Sequence, residues 1–304
     1  MLAPRRVCRD GRWSEGVHGG LVIAGTDGSA PATAAVEWAA DDARRTGAEL
    51  RIVHVLDRGP YAIAGVAVPI EPEDILMRAA EKVVKQAETA ARARQPEVRI
   101  TTKVIEGVPA AVLLDQAREA DQLVIGDRGL GGFARAMLGS VSTRLAVHAP
   151  CTVVVVRTEP GEPSGEIAVG VDDSEHSEPA IAYAFEQAAL RGATLHLIHA
   201  WQVPVHAFAP EISYEADTIR DSVQQMVRSR TARWQAEHPE VRTVTDIPCA
   251  HPVDALTGAD FDLVVVGTHG RGPIGSLLLG SVSRGVLHHA RRAVAVVRRA
   301  EEGP

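Results

Sequence analysis

Apolar and polar positions alternate along the chain between short, valine-rich runs and longer amphipathic stretches. LVIAGTD (Leu21 to Asp27) is a continuous apolar run closed by an aspartate and predicts a buried strand. Pro31 to Thr46 predicts a helix with Gly47 as its stop, and LRIVHVL (Leu50 to Leu56) the next strand. From Pro72 to Arg94, Ile75, Leu76, Ala79, Val83 and Ala87 recur between charges at a period near 3.6, the pattern of an amphipathic helix. The strand VRITTKVI, a helix from Pro109 to Glu119, the strand LVIG (Leu123 to Gly126), a helix from Ser140 to His148 and the strand TVVVVR complete the first half.

The second half repeats this order. GDRGLGGFARAMLGSVS, from Gly126, and GTHGRGPIGSLLLGSVS, from Gly267, lie 141 residues apart, as do His148 in VHAP and His289 in HHAR. Upstream, VIAGTDGS and IAVGVDDS, and likewise His54 and His199, lie 145 apart, so the halves are copies that differ by a small net deletion. Valine-rich strands alternating with helices imply a parallel sheet covered on both faces, the doubly wound α/β class, present twice in tandem. The expected boundaries are a disordered extension over 1–19, a domain over 20–158, a Pro/Gly/Ser linker over 159–165 and a second domain over 166–299.

Composition narrows the function classes. A chain of 304 residues with 45% hydrophobic content can bury two cores. A net charge of -7 argues against a general nucleic-acid or basic membrane-surface role, while the three lysines (Lys82, Lys85, Lys103) among 32 basic residues read as genome composition bias toward arginine. Cys8, Cys151 and Cys249 are odd in number and widely spaced, with no C-x-x-C pair; Cys151, opening CTVVVV, reads as a small buried thiol. These features, with no apolar run of signal-peptide or membrane-span length, make the cytoplasm the expected compartment.

The candidate chemistry lies in the two loops, each written G-x2-G-x9-G-S after a strand and before a helix. Strand, glycine-rich loop and helix start can hold phosphate on backbone amides. Gly126 and Gly129 allow a sharp turn and close approach to a ligand, Gly139 leaves the helix start open, and Ser140 is the N-cap candidate. A phosphate loop of the Gly-Lys type is absent, and GTDGSAPA is not a dinucleotide fingerprint. No Ser-His-Asp order, nucleophile elbow or H-E-x-x-H motif is legible. His54, His199, His148 and His289 read as structural, and Asp27 and Asp172 have helix capping as an alternative role.

On Asp27-Gly28-Ser29, Asp172-Asp173-Ser174, His54-Val55, His199-Ala200 and both loops, the sequence resembles the universal stress protein family in its tandem, ATP-binding form, from Leu21 to Arg299. The resemblance implies Rossmann-like domains with one adenine nucleotide per half. Asp27 and Asp172 would accept from ribose hydroxyls, Gly25 and Gly170 would permit close approach, and backbone at Val55 and Ala200 would meet adenine. Gly126, Gly129, Gly139 and Ser140 would hold phosphates in the first half, and Gly267, Gly270, Gly280 and Ser281 in the second, with Ser142 and Ser283 as extra donors. A Mg ion bridging phosphates fits, although no carboxylate cluster demands one.

The resemblance implies an ATP-binding regulator or sensor of the stress response with a regulatory protein partner; a slow ATP hydrolase, a nucleotidyl-transferring enzyme and a scaffold with vestigial sites are the alternatives. It also implies that the final strands, Val153 to Val156 and Val294 to Val297, pair about a pseudo-twofold axis, with a homodimer as a further option. Three departures bear on the sites. Asp127 places a negative charge in the first loop, where the second has Thr268, His269 and Arg271. The second half has CAHP where the first has EGVP, and its next helix is shortened at Thr257-Gly258.

Overall fold

A valine-rich strand followed by a helix has apolar surface on both of its faces, and a parallel sheet between helix layers buries both. The computed structural model describes residues 5–9, 12–16, 20–59, 72–130, 138–157, 162–174, 177–202, 216–268 and 279–298. Met1–Thr158 makes up the body of a first unit and Glu159–Arg299 a second.

The first unit opens with β1 (Arg5–Arg9) and β2 (Arg12–Gly16), an antiparallel pair with Arg9 opposite Arg12. Both strands fall within the segment 1–19 that the sequence reading set apart as an extension. Then follow β3 (Leu21–Thr26), α1 (Ala30–Thr46), β4 (Glu49–Leu56), α2 (Pro72–Arg94), β5 (Ile100–Glu106), α3 (Pro109–Gln116) with a 3-10 turn over Ala117–Glu119, β6 (Gln122–Gly126), α4 (Ser140–His148) and β7 (Thr152–Val156). The strands form a parallel sheet in the order β7-β6-β3-β4-β5.

The second unit contains β8 (Glu166–Gly170), α5 (Glu178–Arg191), β9 (Thr194–Ile198), α6 (Ala216–Glu237), β10 (Thr243–Asp246), α7 (Pro252–Thr257), β11 (Leu263–Gly267), α8 (Ser281–His289) and β12 (Ala293–Val297). Its parallel sheet runs β12-β11-β8-β9-β10, the same order element for element. In each unit the strand order reverses beside the first strand, between β3 and β6 and between β8 and β11. Ligands of open α/β sheets bind in the crevice that such a reversal leaves at the strands' carboxyl ends.

The cores are the strands themselves. Ile23, Ile52, Leu123 and Val154 in the first unit, and Ile167, Leu195, Leu197 and Val265 in the second, are fully buried. Helix α1 ends as predicted on Gly47, whose φ of 66° is the left-handed cap that glycine adopts without strain. The bounds of α2 match the sequence reading, but its buried stripe is Ala80, Val84, Ala87 and Ala91, while Ile75 is 51% exposed and Ala79 also faces solvent. Adjacent valines at 83 and 84 make both faces look apolar, and packing against α1 and the sheet selects the one carrying Val84.

The α1–α2 contact is held partly by charge. Arg94 Nη2 donates to Asp41 Oδ2 at 2.8 Å, and Gln95 Nε2 donates to Asp41 Oδ1 at 2.5 Å. Burial opposes ionisation of Asp41, but the hydrogen bonds from Arg94 and Gln95 and the guanidinium charge outweigh it and hold the carboxyl below its ordinary range. A depressed folded value means the clamp's contribution is complete above the unfolded value near pH 4 and is lost as pH falls through the folded one. Asp41→Asn is expected to cost about 1 kcal/mol at pH 7, since Arg94 is largely exposed, and to lose that difference on acidification. Urea midpoints at pH 7 and pH 3 measure both; an equal difference at the two pH values would exclude the clamp.

Burial next to β7 pushes the Cys151 thiol up to about 12. At pH 8 about one thiol in ten thousand is then ionised, too few for reaction with an alkylating agent. Iodoacetamide is expected to modify exposed Cys249 and spare Cys151 until the protein is unfolded, as read by peptide mass mapping.

Candidate functional site

At the carboxyl end of β3 the chain must leave the sheet and start α1 within a few residues. Gly28 takes φ 83° to do so, and Ser29 caps the helix, its Oγ accepting from Ala32 N at 3.3 Å. Just before them, the Asp27 carboxylate turns back: Oδ1 accepts from Ser29 N at 3.0 Å, and Oδ2 accepts from Leu130 N at 2.9 Å. The crevice therefore brings together the two stretches singled out in the sequence, the end of the first strand and the first turn of the glycine loop. Ser29 is the cap, so Asp27 supports α1 from outside its first turn.

The base of the loop is closed by backbone. Gly139 N donates to Asp127 O at 2.8 Å, and in the second unit Gly280 N donates to Thr268 O at 2.8 Å. Helix α4 begins directly after this closure. Its first intrahelical bond is Thr143 N to Gly139 O, which leaves the amides of Ser140, Val141 and Ser142 without intrahelical acceptors, at the positive end of the helix dipole. Arg284 N to Gly280 O starts α8 in the same way.

Several predicted roles change. The N-caps are Gly139 and Gly280, not Ser140 and Ser281, which are the first helical residues; an extended ψ near 150° follows the closing bond and excludes the serines from the cap position. The Ser142 and Ser283 hydroxyls are not free donors. They are committed to the ends of the preceding strands, Ser142 Oγ to Gly126 O at 2.8 Å and Ser283 Oγ to Gly267 O at 2.7 Å.

The glycines at these positions also sit close to protein atoms. A Cβ on Gly126 would lie 2.8 Å from Pro31 C and 3.0 Å from Ala32 N, so this glycine lets α1 approach β6. At Gly25 a Cβ would meet Leu113 and Ile125 at 3.2 Å, and at Gly170 it would meet Leu256 at 3.4 Å; both positions seat a buried leucine of α3 or α7. On Gly129 it would collide with Asp27 Oδ2, and on Gly139 it would lie 3.3 Å from Asp127 O. Gly270, with His269 and Arg271, lies outside the described residues.

The adenine-side positions differ between units. Val55 lies inside β4, opposite Ile105 of β5, whereas β9 stops at Ile198 and leaves Ala200 beyond the strand. Asp172 Oδ1 accepts from Ser174 N at 2.9 Å and Ser174 Oγ at 2.5 Å. The CAHP departure has a structural reason: His251 caps α7, its Nδ1 accepting from Val253 N at 3.3 Å, where Val108 offers α3 no side-chain cap. Helix α7 does end at Thr257, as predicted. His54 Nδ1 and His199 Nδ1 pair with Thr26 O at 2.8 Å and Val171 O at 2.7 Å, pinning the ends of β3 and β8.

Asp127 carries less free charge into the loop than its sequence position implies. It is 4% exposed, Arg128 Nε lies 3.1 Å from its Oδ2, and its Oδ1 is buried without a hydrogen-bond partner. One polar cluster escaped the sequence reading. His196 Nδ1 faces Asp246 Oδ2 at 2.6 Å and its Nε2 faces Glu166 Oε2 at 2.5 Å, along a groove of about 690 Å³ that Phe261 and Ala255 also line. The matching position in the first unit is Arg51, bonded to Glu119 of the 3-10 turn at 2.8 Å, a turn that α7 lacks. Only the alternation in TLHLI hinted at it, since the acids come from neighbouring strands. Among the described residues no group of three or more His, Cys, Asp or Glu is placed to hold a metal ion, and no helix is long and apolar enough to cross a membrane.

Comparison with known proteins agrees with the repeat. The model of the "Universal stress protein family" matches residues 21–157 and again 164–298. Universal stress protein Mb2028c of Mycobacterium bovis is 33% identical over 291 residues, covering 92% of this chain and 97% of the relative. Universal stress protein Rv2623 of Mycobacterium tuberculosis is 33% identical over 292 residues, covering 91% and 96%. The crystal structure of a universal stress protein from Archaeoglobus fulgidus superposes with a TM-score of 0.67 at 19% identity, over 93% of this chain and 97% of that one, a likeness of fold. With both units matched and a duplicated topology to explain the double match, the chain belongs to the universal stress protein family and carries two of its domains in tandem.

Proposed function

We propose that each unit binds one adenine nucleotide at the carboxyl end of its sheet, and that occupancy regulates the protein's contacts with a partner in a stress response. The observation that carries this reading is the meeting of Asp27 with the first turn of the glycine loop, beside a helix whose first amides lack intrahelical acceptors. A carboxylate suits ribose hydroxyls, and a helix start with a glycine loop suits phosphates. The backbone closure recurs at Gly280 and Thr268, which supports a second site of the same kind.

The phosphate donors in this reading are backbone amides, those of Ser140 and Ser142 in the first unit and of Ser281 and Ser283 in the second. Gly129 keeps the first turn clear, and Gly126, Gly139, Gly267 and Gly280 shape the loops. Asp27 and Asp172 take the ribose, Val55 and Ala200 flank the base, and Gly25 and Gly170 act one step back through the leucines they seat. The described residues form no metal cage, and both oxygens of Asp27 already accept amides. A Mg ion would therefore enter with ATP, held chiefly by phosphate oxygens and water.

Mass spectrometry of nucleotide released from the purified, denatured protein, with calorimetric titration of ATP, tests the reading. Adenine nucleotide in the released fraction or two ATP sites per chain is expected. No released nucleotide together with no binding heat over a range of temperatures would overturn it in favour of a scaffold with vestigial sites.

A further inference from the structure

The Asp27 carboxylate makes a contact that recognition of a ribose does not require. Oδ2 accepts from Leu130 N at 2.9 Å, joining residues 103 positions apart, while Oδ1 closes the turn to Ser29 N at 3.0 Å. Leu130 itself is 78% exposed, so its own side chain does not hold this end of the turn. Gly129 lies against the same oxygen, with no room for a Cβ. The other end of the loop is anchored separately, by Gly139 N on Asp127 O and Ser142 Oγ on Gly126 O. The Asp27 side chain therefore ties the exposed end of this turn to the end of β3, while backbone ties its base to the start of α4.

Resting on the nucleotide reading above, we propose that Asp27 is a positioning residue for the phosphate loop of the first unit. It holds the turn from Gly126 to Leu130 against the end of β3, so that loop and helix amides face one polyphosphate before the ligand arrives. Donors fixed in advance bind an anion without the ordering loss that a loose loop incurs. A ligand bearing phosphates gains from this arrangement, and a nucleoside does not. Discrimination between ATP and adenosine thus depends on a residue that touches no phosphate.

Asp27→Asn separates this role from a ribose contact. The amide keeps the volume but has one acceptor oxygen for two N–H groups. ATP and adenosine are titrated by calorimetry into the full-length protein and the variant, with the unaltered second unit as internal reference. The ratio of adenosine to ATP dissociation constants at the first unit is expected to fall about tenfold, with Leu130 amide exchange at least tenfold faster and α1 exchange unchanged. A ribose contact alone weakens both ligands equally and leaves the ratio intact, which overturns the proposal. Tighter ATP binding in the variant also overturns it, because the Asp27–Leu130 bond would then be a latch that the nucleotide must break. Gly129→Ala, which displaces the turn while keeping the carboxylate, must lower the same ratio, and decides the matter should Asp27→Asn fold poorly. Wild-type protein that binds neither ATP nor adenosine sinks the nucleotide reading itself, whereas faster Leu130 exchange in Asp27→Asn would still establish the loop contact.

Discussion

Gly126→Ala is expected to destabilise the first unit by about 3 kcal/mol, although it adds a single methyl group at the end of a strand. The new Cβ would lie 2.8 Å from Pro31 C, 2.9 Å from Pro31 O and 3.0 Å from Ala32 N, all of them backbone in and beside the first turn of α1. Helix α1 cannot retreat cheaply, since Ala35, Val36, Ala39 and Ala43 on its inner face are fully buried. Overpacking against rigid backbone falls at the upper end of the usual 1–3 kcal/mol, roughly. Gly25→Ala meets only side chains, at 3.2 Å, and is expected to cost about 1 kcal/mol. Urea denaturation of both variants checks the order. A Gly126→Ala midpoint at or above that of Gly25→Ala would show that α1 shifts freely.

Gly129→Glu is expected to abolish ATP binding at the first unit and leave the fold in place. Among the described residues a Cβ here collides only with the Asp27 carboxylate, beside the exposed Leu130. The added carboxylate then lies in the space proposed for phosphate. A like charge at 5 Å costs about 3 kcal/mol at an effective dielectric near 20, more than a hundredfold in affinity, and less where water and salt screen it. Calorimetric stoichiometry is expected to drop from two ATP per chain to one, with an unchanged circular dichroism spectrum. Two undiminished sites would refute the phosphate assignment. Asp127→Ser acts in the opposite direction: it removes a negative charge beside the loop and frees the Arg128 guanidinium, so ATP binding at the first unit is expected to tighten, as the same titration reads.

Local signals were legible where they are strong and self-contained. Gly47 stops α1 because few residues other than glycine adopt the left-handed cap cheaply, and the bounds of α2 and α4 follow from proline, serine and periodicity. The end of α7 at Thr257 was visible from the glycine that follows it, although Gly258 keeps right-handed backbone, φ -75°, and is not a left-handed cap. The residues of the candidate site stood out as well, because the 141- and 145-residue offsets repeat the motif together with its surroundings.

Roles that depend on a partner distant in sequence were not legible. That Gly126 faces Pro31, Gly25 faces Leu113 and Ser142 bonds the carbonyl of Gly126 follows from which strands neighbour one another, and a motif does not encode that distance. The buried face of α2 went the same way: two adjacent valines offer two stripes, and only docking against α1 and the sheet chooses between them.

By itself, then, the sequence determined the element types, their order, the duplication and the two loops, because these rest on the backbone preferences of glycine and proline and on the period of burial. Tertiary structure alone decided what the described residues at the two ends of the first loop touch. The reversal of strand order between β3 and β6 brings Asp27 to Leu130, and it turns Asp27 from a lone acid at a strand end into the group that holds the loop. A hydrogen bond reaches about 3 Å, while 103 residues of chain lie between its partners, so only the folded sheet could make that contact.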